Sequence, residues 1–236
     1  MPEPEIPDPA QAHAVADRFT RSVEAFRSVP SAFDRAVASA LDVIAVEWTR
    51  EKTRELHEQL RDVLGKQLVV LDMLAPSATA AAELAAHAQS WSNTRDSAAQ
   101  AQDDVGDDGR LRATGTWRGA AGRDYAASAG VEAAITGSIA GAADGVAAAL
   151  AKLAVAGTAF TIAAGAVIEK TTADLTAQTG ALASGVGTLR ELGKALQSAV
   201  SAGEFITGVG SELIEAVRMG SAKLSALDQA VTASWP

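Results

Sequence analysis

Metal-assisted hydrolysis needs converging His, Cys, Asp or Glu ligands, often two histidines one helical turn apart. This chain has three histidines, His13, His57 and His87, in three separate segments, and no cysteine. No thiolate site, thiol nucleophile or disulfide framework can therefore form. The cluster Asp103, Asp104, Asp107 and Asp108 offers hard oxygen ligands, but it lacks the alternating register, central Gly and later Glu of a helix-loop-helix calcium motif. Gly106, Gly109 and Gly115 are not followed by the Lys-Ser or Lys-Thr that ends a phosphate loop, and no GxSxG elbow occurs. The residues call for no catalytic group, metal or cofactor, and the chain reads as non-enzymatic.

Composition agrees with that reading. The 236 residues carry a net charge of -9, which disfavours a phosphate-binding groove and hence a nucleic-acid partner. With only four Trp, five Phe and one Tyr, the core must be filled mainly by Ala, Val and Leu on closely apposed helices. Residues 126–236 hold 15 charged side chains in 111 positions, against 34 in the first 125. The C-terminal half is thus much less solvated by its own side chains. Met1 to Pro9 alternates Pro with acidic residues and shows no basic region followed by an apolar run, so residues 1–10 are expected as a disordered acidic lead-in.

Apolar periodicity predicts an all-α protein, an elongated antiparallel bundle with a long N-terminal helix and a central Trp-x-Gly hairpin turn. Val15, Phe19, Val23 and Phe26 recur at three- to four-residue intervals up to Pro30. From Ser31 a second stripe, Phe33, Val37, Leu41, Ile44 and Trp48, continues through Leu56, Leu60, Leu64, Leu68, Leu71 and Leu74. It predicts one rod of about 60 Å ending near Pro76. These N-terminal helices occupy residues 11–75. A helical hairpin is expected over 77–170, with helix toward Ala101, a loop from Asp103 to Thr116 and helix again from about Ala120. C-terminal helices fill 171–236, with breaks suggested around Gly180 to Gly187 and Gly203 to Gly210.

Two features stand out in the second half. Gly137, Gly141 and Gly145 form a ladder at four-residue spacing, and each internal Gly costs roughly 1 kcal/mol against Ala. Close backbone approach offsets that cost, so the ladder marks a helix crossing within the chain, a face for another chain, or an irregular segment. Leu153 to Ile168, with Phe160 at its centre, is free of formal charge over 16 residues. At about 24 Å it falls short of a hydrocarbon core of about 30 Å, so a buried soluble helix is expected and membrane contact is the less favoured reading.

The sequence Trp117-Arg118-Gly119-Ala120-Ala121, with Tyr125 after it, resembles the tryptophan-any-glycine turn of the WXG-type substrates of type VII, or ESX, secretion. The likeness covers residues 77 to 155; with the rod before and the helices after, the chain looks like the larger effector-like members. It implies a WXG100-like hairpin or coiled-coil bundle exported from an actinobacterial or related Gram-positive cell, paired with a helical partner or with itself, and touching the secretion machinery. Trp117 would plug the hairpin end, Gly119 would permit the tight turn, and Tyr125 would help to organise it. The family's export signal places Tyr four residues before Asp or Glu, whereas Tyr125 is followed at that spacing by Ala129. The implied location is therefore secreted or envelope-associated if a partner carries the signal, and cytoplasmic otherwise. The competing reading is a membrane-active helical effector that inserts through its weakly charged half.

Overall fold

The computed structural model describes residues 6–106, 119–183 and 187–234, and among these residues it is all-α, with no strand. The protein is a helical bundle. Its helices are α1 (Pro9–Arg27), α2 (Val29–Val43), α3 (Glu47–Leu74), α4 (Ala80–Gly106), α5 (Ala120–Ala183) and α6 (Thr188–Ser234), with a 3-10 turn over Ala75–Ser77.

Proline and β-branched residues set the first boundaries. Pro9 opens α1, and Pro30 sits in the first turn of α2, where a missing N–H costs nothing. Helix α1 buries Ala12, Ala16, Phe19, Val23 and Phe26 along one face. The expected single rod from Ser31 to Pro76 is instead two helices. Ile44 and Val46 are extended, with ψ of 113° and 117°, and Ile44 to Val46 connect α2 to α3. In Val43-Ile44-Ala45-Val46 three β-branched side chains would each lose χ1 freedom in a helix, which weakens it at that point. Arg50 supports the break by donating from Nη2 to the Ile44 carbonyl at 2.8 Å. The chain then folds back, and His57 meets Asp34 at 2.8 Å. Doubling back lets Leu60, Leu64 and Leu71 be buried in the same core as Phe33 and Val37. Trp48, expected on the apolar stripe, is left 62% exposed beside the turn.

Gly65 lies inside α3 without breaking it. Helix α4 runs on to Gly106, so Asp103 and Asp104 belong to a helical turn rather than to the expected loop. At the start of α6, Gly187 takes φ +73°, and its carbonyl accepts the N–H groups of Arg190 and Glu191. The expected breaks at Gly203, Gly208 and Gly210 are absent, because α6 continues through all three. Two of these glycines are seats for larger side chains. A Cβ on Gly203 would lie 3.0 Å from the amide of Gln67, and one on Gly210 would lie 3.9 Å from the ring of Phe160. Gln67 is itself buried and donates to the Ala199 carbonyl, which satisfies its amide.

Packing divides the chain into two units: Ala10–Ala82 with Ala156–Glu215, and Glu83–Val155 with Met1–Pro9 and Ala216–Pro236. The first holds a core of large side chains, among them Phe19, Phe26, Phe33, Leu60, Leu64, Leu71, Ile168, Leu175 and Leu192. At its surface Arg18 grips Glu169 through two bonds of 2.8 and 2.6 Å, and Ser22 adds a third donor at 3.0 Å. The hydrogen bond from Arg18 lowers the Glu169 pKa from its ordinary value. The stabilisation this carries is present above the ordinary carboxylate range and is lost as pH falls through the lowered value. Exposure of the Arg18 head keeps its magnitude small.

The second unit is packed differently. Its buried hydrophobic residues, among those described, are Ala85, Ala88, Ala129, Ala143, Ala147, Ala149, Ala151 and Ala154. Each alanine removes about one methyl group from water, about 0.8 kcal/mol, where a buried Leu or Phe contributes about 1.5–3. Larger contacts occur where glycine makes room, as Leu227 does at Gly145 and Leu153 at Gly220.

Candidate interaction surface

Of the expected hairpin turn, Gly119 and Tyr125 are among the described residues. Trp117 lies outside the described residues, as do Asp107, Asp108, Gly109 and Gly115. Gly119 takes φ +96°, a conformation that side chains with a Cβ rarely adopt, and its carbonyl accepts the Arg123 N–H at 3.3 Å as α5 begins. Among the described residues nothing lies within 4 Å of where its Cβ would stand, and the positive φ is itself a reason for glycine here. Tyr125 follows in the second turn of α5, 37% exposed.

The glycine ladder does not form one contact surface. A Cβ on Gly137 would strike the Gln102 side chain of α4 at 2.7 Å, and one on Gly145 would strike Leu227 of α6 at 2.9 Å. At 3.6 residues per turn a step of four advances about 40° around the helix, so positions eight apart address different neighbours. Gly141, between them, is exposed and has open space around it. Gly141 therefore takes no part in a helix crossing among the described residues, one of the readings the ladder suggested. Gly141→Ala is expected to raise stability by about 0.5–1 kcal/mol, the helix-propensity difference, in a urea titration of the full chain. A loss of stability would show that the position is crowded after all.

The charge-free segment is divided by its packing. Leu153 seats on Gly220, while Phe160 and Ile168 turn inward and are buried. Only Val155, Ala159, Ile162 and Ala166 present an exposed apolar row. The three residues marked as a membrane segment therefore share no exposed face. By length and composition alone, the helical stretches Glu47–Gly106 and Ala120–Ala183 each contain a window apolar enough to cross a membrane, and 28% and 39% of those windows are buried.

Among the described residues the three histidines stand apart from one another. His13 and His87 are exposed, His57 is held by Asp34, and no group of three metal-capable residues occurs among the described residues. A shallow groove of about 400 Å³ between α5 and α6 is lined by Lys170, Thr171, Asp174, Ser198 and Phe205. Its one internal polar contact pairs the Ser198 hydroxyl with Asp174 at 3.4 Å.

Exposed aliphatic surface is the more distinctive feature, and sequence reading passed over it. Val43, Val46 and Trp48 crown the turn between α2 and α3. On α5, Val131, Ile135 and Ile139 are 61%, 43% and 37% exposed. Their spacing of four residues was a legible signal of one helix face. The surrounding Ala and Gly obscured it, because a helix apolar on every side gives no direction to its buried face.

No protein-family model matches the chain, and no curated protein or solved structure matches it either.

Proposed function

We propose that this chain is a non-enzymatic helical interaction protein of the type VII secretion class, either a substrate or an accessory component. The observation that carries the reading is the inversion in the alanine-packed unit, where small side chains are buried while Val131, Ile135, Ile139, Val217 and Met219 are exposed. Large apolar residues on the outside of helices are surface available to a partner. Support for the secretion class comes from the Trp117-x-Gly119 likeness and from the positive φ of Gly119 at the start of α5. The partner is another helical protein or a second copy of this chain, with the secretion machinery as a further contact. The acidic net charge argues against nucleic acid.

The deciding experiment compares culture supernatants of the native host with and without its secretion ATPase. The chain is expected outside the cell only when the ATPase is active, alone or with a co-exported helical partner. Retention in the cytosol of both strains would remove the secretion assignment.

A membrane-active effector is the second reading, favoured by the incompletely buried apolar windows of Glu47–Gly106 and Ala120–Ala183. It requires dye release from liposomes. The interaction reading requires that liposomes stay intact, because the charge-free run is shorter than a bilayer core and its largest side chains are committed to protein packing.

A further inference from the structure

We infer that the groove between α5 and α6 is a binding site for a short zwitterionic peptide, of two or three residues, with an apolar C-terminal side chain. The inference goes beyond the proposed secretion role and stands on the groove's own geometry. Both walls belong to the unit with the large-side-chain core. Thr171 and Ala202 are buried at its floor. Their small size keeps about 400 Å³ open, within the range of small-molecule sites. The two helices run antiparallel here, since Asp174 meets Ser198 and Phe160 meets Gly210. Phe205 therefore comes level with Val167, and the two form an apolar end to the groove.

Charge selects the ligand. Lys194, at the far end, is already engaged by Glu191 at 2.8 Å. Lys170 and Asp174 stand four residues apart on α5, the spacing at which opposite charges on a helix meet. Among the described residues neither is in an ion pair: Asp174 accepts from the Ser198 hydroxyl at 3.4 Å, and Lys170 is exposed. A second acceptor lies on the carboxylate side. Gln178 follows Asp174 by one turn on the same face of α5, and its Oε1 is buried with no donor. An anion alone would meet Asp174, and a cation alone would meet Lys170. A molecule carrying both charges places its ammonium at Asp174 and its carboxylate at Lys170, and its C-terminal side chain then enters between Val167 and Phe205. The two residues are about 6 Å apart along the axis, and the lysine head leans further toward Val167 because helical side chains tilt to the N-terminus. Two or three extended residues span about 7–10 Å, whereas a free amino acid holds its charges too close together to reach both.

Amide NMR of the purified full chain tests the site with alanyl-leucine as the probe. Saturable shifts are expected over residues 167–174 and 194–205, with a Kd of about 1 mM for so open a groove. Acetylating the peptide's amine or amidating its carboxylate should each weaken binding by about ten-fold, the loss of one charge-assisted contact. These arms use the unmodified chain, so they do not depend on how a variant folds. Asp174→Asn should weaken alanyl-leucine by about the same factor and leave the acetylated peptide unaffected, and Lys170→Gln should do the same with the amidated peptide. Lys194→Gln is expected to stay within about two-fold, since that lysine is engaged by Glu191. No saturable shift up to about 20 mM, equal binding of the blocked peptides or of free leucine, or equal losses from Lys194→Gln and Lys170→Gln would each overturn the proposal. ATPase-dependent export without peptide binding would sink this inference alone; peptide binding by a chain that is never exported would sink the secretion reading alone.

Discussion

Phe19→Ala is expected to lower the stability of the full chain by about 3–5 kcal/mol, the cost of truncating a buried aromatic in a packed core. The ring is 2% exposed and shares its cluster with Val23, Phe26, Ile168 and Leu175. Its Cδ2 lies 3.6 Å from where a Cβ on Gly165 would stand, so the ring rests on the bare backbone of α5. Truncation would leave a void lined by α1 and α5 that neighbouring helices cannot fill without moving. A urea titration followed by circular dichroism measures the change. A loss below about 1 kcal/mol would mean that the site collapses freely, and that the large-side-chain core is less tightly packed than its burial indicates.

Gly157→Leu is the second large effect, and here the sign comes from competition. Replacing an internal helical glycine gains roughly 1 kcal/mol in propensity. Against that, a Cβ at 157 would meet the Ala81 Cβ at 3.0 Å and the Ala81 Cα at 3.7 Å. Neither atom belongs to a flexible side chain that could swing away, so the start of α4 would have to separate from α5. Overpacking of this kind costs about 1–3 kcal/mol, and leucine adds three further carbons to the clash. A net loss of up to about 2 kcal/mol is expected. The same substitution at Gly65, exposed on α3 with open space around it, is expected to leave stability unchanged or slightly higher. Equal effects at the two positions would show that backbone propensity, and not the Ala81 contact, governs both.

Much of the helical architecture was legible in residue spacing. The stripe ending in Phe19, Val23 and Phe26, the proline near the start of α2 and the glycine before α6 follow from local rules that need no partner: periodic burial, a missing N–H and a positive φ. The break at Ile44 to Val46 was not legible in the same way. A β-branched run only weakens a helix, and whether it yields depends on what the chain gains by doubling back. Here that gain is the burial of Leu60, Leu64 and Leu71 in the core that holds Phe33, and it exists only in the folded state.

Glycine separates the two kinds of information most clearly. Sequence alone determined that this protein is helical, acidic, free of cysteine and sparsely charged in its second half, because those properties follow from residue type and periodicity. It also marked the glycines as positions needing compensation. Tertiary structure alone decided which kind each received: a positive φ at Gly119 and Gly187, a larger side chain seated on Gly145, Gly165, Gly203 and Gly220, or open space at Gly141. It also decided that the alanine-packed unit turns Val131, Ile135 and Ile139 outward. The physical reason is that propensity and period are properties of a short segment, whereas the occupant of the space beside a glycine or an isoleucine comes from residues far along the chain. In a helix rich in Ala and Gly on every side, the segment itself carries little that selects the face to be buried.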